Sequence, residues 1–479
     1  MSVSKNYMYN VLLIISNTIF PIITFPYVSR ILMPEYLGKV YFVQGVVAYF
    51  IILSVLGAPN YGIRELSKAK SIGDWDEFKK IFSELLFMTM LSSIGALLLL
   101  LLIVNCYGKF NSEKLLFYIF GIQVLFECFH INYIFVVMEN HKRRLIRSFA
   151  IRILSLGFLF YFIKDSKDYY LYALLLVVPE VLARVIDIFS VREYIVFDIR
   201  KLNFKRHIND MLVVFMYLFT IGIYGSIDTT MLGIMVNDTE VGLYSAAVKM
   251  YRMVLPVILT LGIVLSPRII GAIKKNTKSE LYKNIDIFVD YCFIVGVPAT
   301  ILMLYLAPEF TLLFSGKDFK GAIITMMIMA PCIGFVAFGT FIGGQILLPN
   351  NFERYILKIS LAGVLINISL NYFLIPTYLR NGAAAATLIT EIIISLIKIN
   401  KMKKIYPDYK ILTKDRVMTI CVGIAVFGIV FLLGLKIKDY GKIATLLSIP
   451  IIFGCFYFLI LIVLGNKSVK NAMKLLKRR

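Results

Sequence analysis

Lys249 and Arg252 lie one helical turn apart inside Val241–Leu265, VGLYSAAVKMYRMVLPVILTLGIVL, a stretch otherwise built for hydrocarbon. A cation within a membrane span costs about 2.5–3.5 kcal/mol on insertion scales, so it usually faces a cavity or a partner. Two at i, i+3 share a helix face. Lys supplies a point charge and Arg a planar fork that grips phosphate oxygens in bidentate fashion. The pair therefore points to a cavity that receives negative charge, or else to two side chains snorkelling to the surface or pairing with a carboxylate. Carboxylates inside apolar runs are the other scarce chemistry. Asp228, Glu391 and the i, i+3 pair Glu127–His130 are candidates for gate pairing or ion coupling; helix packing is the bland reading of each. Glu180, Arg184 and Asp187 form an i, i+4, i+7 ladder expected to neutralise itself.

The elements that must position these residues are membrane spans. Hydrophobic residues make up 59% of the 479-residue chain and charged residues 17%; mean hydropathy is +0.81. Globular domains lie near 45–50% and about 25%. With about 20 apolar residues needed per crossing, fourteen stretches qualify: roughly 8–29, 40–60, 81–105, 115–138, 147–163, 169–190, 211–234, 243–265, 285–306, 321–348, 355–375, 382–399, 417–435 and 442–465. The expected fold is thus an all-α polytopic membrane protein. With the N-terminus inside and boundary cations counted in adjoining segments, inner segments hold 35 of the 51 Lys/Arg and outer loops 12. This positive-inside bias predicts an even span count and cytoplasmic termini. The net charge of +22 is largely that topology signal, with no basic folded surface for nucleic acid. The first span reads as retained, since no small-residue cleavage site follows it.

An offset of 204 residues maps Gly38 onto Gly242 and Arg64 onto Arg268, the arginine lying 26 positions after the glycine in each copy. Such repeats mark transporters. They predict a six-span lobe over 1–200, a second over 201–400, and an appendix of two spans and a basic tail over 401–479. The basic stretch 191–210 links the lobes, and the tail NKSVKNAMKLLKRR is expected on the membrane surface. Arg30 at an outer span end, and Arg64 and Arg268 at inner ends, are candidate substrate contacts beside Lys249 and Arg252; interfacial anchoring is the alternative. Pro21, Pro26, Pro256 and Pro298 interrupt spans and allow bending. Asn17, Thr18, Gln44, Asn367 and Asn371 offer hydrogen bonds to sugar hydroxyls or to neighbouring helices.

Enzymatic chemistry is poorly represented. The chain has no Walker A pattern, no HExxH helix and no cysteine pair at metal or redox spacing, so no cofactor is expected. Asp74-Trp75-Asp76 has DxD spacing but reads as a turn, and the loop near 307–320 is too short for the catalytic loop of a membrane polymerase.

Residues 20–64, FPIITFPYVSRILMPEYLGKVYF…YFIILSVLGAPNYGIRE, and 228–268, DTTMLGIMVNDTEVGLYSAAVKMYRMVLPVILTLGIVLSPR, carry a resemblance. They resemble bacterial polysaccharide repeat-unit (O-antigen/capsule) flippases of the multidrug/oligosaccharidyl-lipid/polysaccharide exporter superfamily: P-x-x-x-x-P-Y-x-S-R-x-L, Y-x-G and Y-G-x-R-E, then D-x-x-M-L-G, V-G-x-Y-S-A-A-x-K and P-R. Met33-Pro34 stands where the pattern has glycine. The resemblance implies two lobes around a central cavity, opening alternately inward and outward. It implies a substrate, an undecaprenyl-pyrophosphate-linked oligosaccharide moved to the outer leaflet of the bacterial cytoplasmic membrane. It also implies membrane lipids, a proton or sodium ion, and a polymerase with a chain-length regulator as partners. A multidrug–cation antiporter is the alternative within the superfamily, although it would carry an acid-rich cavity and usually twelve spans. A lipid II flippase is the rival closer in charge, but it fits the two motif blocks less well.

Overall fold

The computed structural model describes residues 3–195, 202–437 and 441–470. It divides into two compact units, Met1–Gly242 and Leu243–Arg479. The first holds α1 (Val3–Val55), α2 (Ala58–Ile72), α3 (Trp75–Cys106), α4 (Lys114–Phe126), α5 (Asn132–Val137), α6 (His141–Phe162), α7 (Tyr169–Val191) and α8 (Lys205–Met235). The division falls within α9 (Asp238–Lys274). The second holds α10 (Lys278–Tyr291), α11 (Val297–Phe314), α12 (Ala322–Met329), α13 (Cys332–Phe341), α14 (Glu353–Ile405), α15 (Lys414–Ile437) and α16 (Lys442–Val463). No strand occurs among the described residues.

Eleven described helical stretches are long and apolar enough to cross a membrane. Two of them, Ile19–Ile72 and Glu353–Ile405, each contain two expected spans. The connections within them are short enough for the helix to continue up to one non-helical residue, Met33 (φ 58°) or Leu379 (φ 53°), each close to a proline. With α7 as a further 23-residue helix, the fourteen-span reading is recovered. Leu91, Phe189, Leu432 and Val463 are all at least two-thirds exposed. A protein in water seldom shows so much large apolar surface; facing lipid, these side chains need no cover.

Small residues let unit 1 pack backbone against backbone, as membrane helices do in the absence of a hydrophobic force between them. A Cβ on Gly45, Gly222 or Gly233 would fall 2.7, 1.9 or 2.1 Å from Thr229, Ile52 or Phe42 respectively, so α1 and α8 touch along their length. The tightest approach joins the two glycines related by the 204-residue offset. A Cβ on Gly38 would lie 1.7 Å from the Asp238 carbonyl oxygen, and one on Gly242 would lie 1.9 Å from that of Pro34. Each glycine thus meets the residue four positions before the other, a reciprocal crossing. Gly38→Ala is expected to lower stability by about 1–3 kcal/mol through overpacking. Gly95, with open space around it, is the matched control, and thermal unfolding in detergent of G38A against G95A is the check.

The expected appendix is seated on unit 2. Val422, Val426 and Val430 of α15 and Ile449, Phe453 and Tyr457 of α16 pack with Ile294, Tyr305 and Leu306. Arg416, 2% exposed, locks the start of α15 by donating to Asp286 at 2.5 Å, to Asp290 at 2.7 Å and to the Lys410 and Ile411 carbonyls. Asp74 is the N-cap of α3, accepting from the Glu77 N–H at 2.9 Å, which accounts for the DxD spacing without a metal.

Candidate functional site

In unit 2, α9 carries Lys249, half-buried, and Arg252, exposed, on successive turns. An exposed guanidinium on so apolar a helix requires water, from a cavity or from the membrane surface. Arg268, near the other end of α9, is exposed. Glu391 of α14 is half-buried and within electrostatic reach of Tyr251 and Lys398. Lys398 runs along Gly339 and Gly343, where no Cβ blocks it, and the second of these lies in the π-helical turn Ile342–Leu347. Sequence reasoning counted Lys398 with an inner loop because it sits at the last turn of an expected span. Asn371 donates to Asn367 at 3.0 Å, so these two span amides bond each other at i, i+4.

In unit 1, Asp228 is 8% exposed on α8. Its surroundings are hydroxyls: Tyr49 of α1 hydrogen-bonds Thr230 at 3.0 Å, and Thr229 and Thr230 both donate to the Ser226 carbonyl. The DTT of DTTMLG thus builds a polar strip on the α1 side of α8. Arg30 is exposed three residues before the break at Met33. Arg64 donates to Glu65 and Asp210, both at 2.7 Å, and lies over the Tyr61 ring. Its charge is already answered by two carboxylates.

Glu127 and His130 meet as expected, with Nδ1 2.9 Å from the carboxylate. Glu127, 1% exposed, also accepts from Arg184 of α7 at 2.5 Å. Arg184 forks to Glu180 as well, at 2.6 Å. The ladder on α7 is therefore not closed on itself. Glu180 and Arg184 pair along the helix, but the Arg184 fork is filled by two carboxylates, and Asp187 pairs instead with Arg147 of α6. The result is a buried network joining α6, α7 and the turn Glu127–Phe129.

One buried cluster was not anticipated. Glu84 of α3, 0% exposed, accepts from the Asn203 N–H at 2.6 Å, from Arg206 Nε at 2.8 Å, and lies 2.6 Å from His207 Nε2. The other ring nitrogen of His207 is 2.8 Å from the Tyr61 hydroxyl, and Arg206 also pairs with Glu77. The cluster clamps the end of the 191–210 stretch onto α2 and α3. A lone glutamate within an apolar span was its one visible signal. Among the described residues no group of three or more His, Cys, Asp or Glu could hold a metal ion.

Comparison with known proteins agrees with this architecture. Residues 3–272 match the family described as polysaccharide biosynthesis protein. The chain is 22% identical over 398 residues to a protein of Escherichia coli (strain K12) named "Putative O-antigen transporter", covering 82% of this chain and 95% of that one. A namesake from Shigella dysenteriae is likewise 22% identical, covering 81% and 97%. Among solved structures, the lipid II flippase MurJ in an inward closed conformation superposes with a TM-score of 0.74 at 14% identity, covering 95% of this chain and all of that one. An inward-facing multidrug resistance MATE family transporter superposes with a TM-score of 0.66 at 16% identity, covering 82% and 96%. At such identities these two establish the fold alone. The relatives and neighbours are transporters and flippases, not enzymes. This multi-pass membrane protein belongs to the polysaccharide biosynthesis protein family.

Proposed function

We propose that the protein flips undecaprenyl-pyrophosphate-linked oligosaccharide repeat units from the inner to the outer leaflet of the cytoplasmic membrane, for O-antigen, capsule or exopolysaccharide assembly. It does so by alternating access of two six-helix lobes, 1–200 and 201–400, with 401–479 appended and both termini cytoplasmic. The observation that carries the reading is the cation pair on α9, Lys249 half-buried and Arg252 exposed, inside a span of the matched family. A pyrophosphate cannot enter hydrocarbon, and a cavity must replace its water with cations. A drug–cation antiporter would need acids at that place.

In this account Lys249 and Arg252 hold the pyrophosphate. Arg30 serves at the outer end; Arg64 and Arg268 serve at the inner ends. Asp228, Glu391 and the pair Glu127–His130 serve a gate or a coupled proton or sodium ion. The membrane potential favours the direction: it is worth about 2.3 kcal/mol per charge per 100 mV, hence about 4–5 kcal/mol for two phosphate charges leaving a negative interior with no accompanying ion. Deleting the gene in its host tests the reading. The expected outcome is loss of one surface polysaccharide, with its lipid-linked unit accumulating in the inner leaflet. Unaltered surface polysaccharide together with heightened sensitivity to cationic drugs would favour the antiporter instead.

A further inference from the structure

Lys398 ends an expected span, and a lysine so placed ordinarily snorkels outward to the membrane surface. Here it turns the other way. Helix α14 continues past it for two turns, to Ile405, about 10 Å further. A Cβ on Gly339 would meet Ser395 Oγ at 2.7 Å and Lys398 Nζ at 3.8 Å, so the ammonium lies back beside Ser395. That is one turn, about 4.5 Å, nearer the middle of the span than its own backbone. Lys401, one turn on, behaves as an anchor instead: its ammonium stands over the Phe352 and Tyr355 rings, 4.1 and 5.0 Å from their centroids.

Lys398 is half-buried, and among the described residues its ammonium makes no hydrogen bond or ion pair. Glu391, two turns back on the same helix, acts on it only at a distance. An ammonium brings three donors, which are costly inside a span unless water or an anion meets them. The surface beneath it is unusual as well. Its Cδ, Cε and Nζ lie 3.9, 3.7 and 3.6 Å from where a Cβ of Gly343 would stand, in the π-helical turn Ile342–Leu347. Such turns are rare and gather at functional sites. With glycine at both 339 and 343, no side chain of that face covers the ammonium.

Glu391 connects this cation to the pair on α9. It is within electrostatic reach both of Tyr251, the neighbour of Arg252, and of Lys398. Lys398 therefore stands about 10 Å along α14 from the level of Arg252. In the proposed topology that step leads towards the cytoplasm. We infer that Lys398 is a further substrate contact, which holds the pyrophosphate of the lipid-linked substrate in the inner half of the membrane before Lys249 and Arg252 receive it. This role rests on the flippase reading and extends its cation pair inward. Three cations against the single Glu391 carboxylate keep this set of groups positive, as a pyrophosphate requires.

The test is native mass spectrometry of the full chain in a neutral detergent, titrated with a polyprenyl pyrophosphate or with the uncharged polyprenol. Lys398→Met keeps a chain of similar length in the glycine-lined groove, and Lys401→Ala removes the anchoring cation as a control. The wild type and K401A are expected to bind the pyrophosphate more tightly than the polyprenol. K398M is expected to need about tenfold more pyrophosphate for the same occupancy, through loss of one charge-assisted contact, and an unchanged amount of polyprenol. Wild-type affinity for the pyrophosphate in K398M overturns the contact and leaves the flippase reading standing. Equal weakening towards both lipids would make Lys398 a packing residue and overturns the contact too. A wild type that does not distinguish the two lipids overturns the flippase reading and the contact with it.

Discussion

K249A/R252A is expected to lower transport of a pyrophosphate-linked substrate by about 10²–10⁴-fold while leaving the protein at normal level in the membrane. Each cation offers a charge-assisted contact worth about 1.5–3 kcal/mol, and losing two removes about 3–6 kcal/mol of binding. The effect on folding has the opposite sign, because each cation taken out of a span removes an insertion penalty of about 2.5–3.5 kcal/mol. Transport and abundance should therefore separate. Conservative variants divide the chemistry further. K249R keeps the charge and should keep most activity; R252K loses the planar fork and should lose more. Cell-surface polysaccharide and membrane protein level, measured together, check the prediction. Normal polysaccharide in the double variant would assign the pair to the membrane surface.

Glu84→Ala is expected to destabilise the protein by about 3–5 kcal/mol, the range for breaking a buried ion pair from one side. Glu84 is wholly buried and answers three groups at once: the Asn203 N–H, Arg206 and His207. Without it Arg206 keeps Glu77 and its bond to His207 Nε2 at 3.2 Å, and His207 keeps that bond and the Tyr61 hydroxyl. Glu84→Gln should cost less, since its carbonyl oxygen can still accept from the backbone. Thermal unfolding in detergent reads the loss. Limited proteolysis should show faster cutting within 191–210 in E84A, as the clamp on that stretch is released. Unchanged unfolding and cleavage would mean that packing alone holds the segment.

Span count, helix class and the two motif blocks were legible because hydropathy over 20 residues is a local property. The glycine pair Gly38–Gly242 was legible too, through its 204-residue offset, and its members meet in space. The connections that hold Met33 and Leu379 were placed by the span list at 30–39 and 376–381, but that the helix runs up to a single non-helical residue in each was not legible, since backbone geometry at one position leaves hydropathy unchanged. Pairing of charges was legible only along one helix. Glu127–His130 and Glu180–Arg184 follow from i, i+3 and i, i+4 spacing. Arg184–Glu127, Arg147–Asp187, Arg206–Glu84 and Arg416–Asp290 cross 57, 40, 122 and 126 residues of sequence, and no periodicity predicts such partners. Arg64 shows the consequence for the candidate site: its spacing from Gly38 marked it as a repeat landmark, while its pairing with Asp210 came only from the fold.

The most direct measurement reconstitutes the purified protein in proteoliposomes containing a polyprenyl-pyrophosphate oligosaccharide in one leaflet. An impermeant glycan-modifying enzyme then reports the fraction that reaches the other. The account predicts protein-dependent exposure of the oligosaccharide that K249A/R252A abolishes. Exposure at the rate of protein-free vesicles, or undiminished exposure in the double variant, would contradict it.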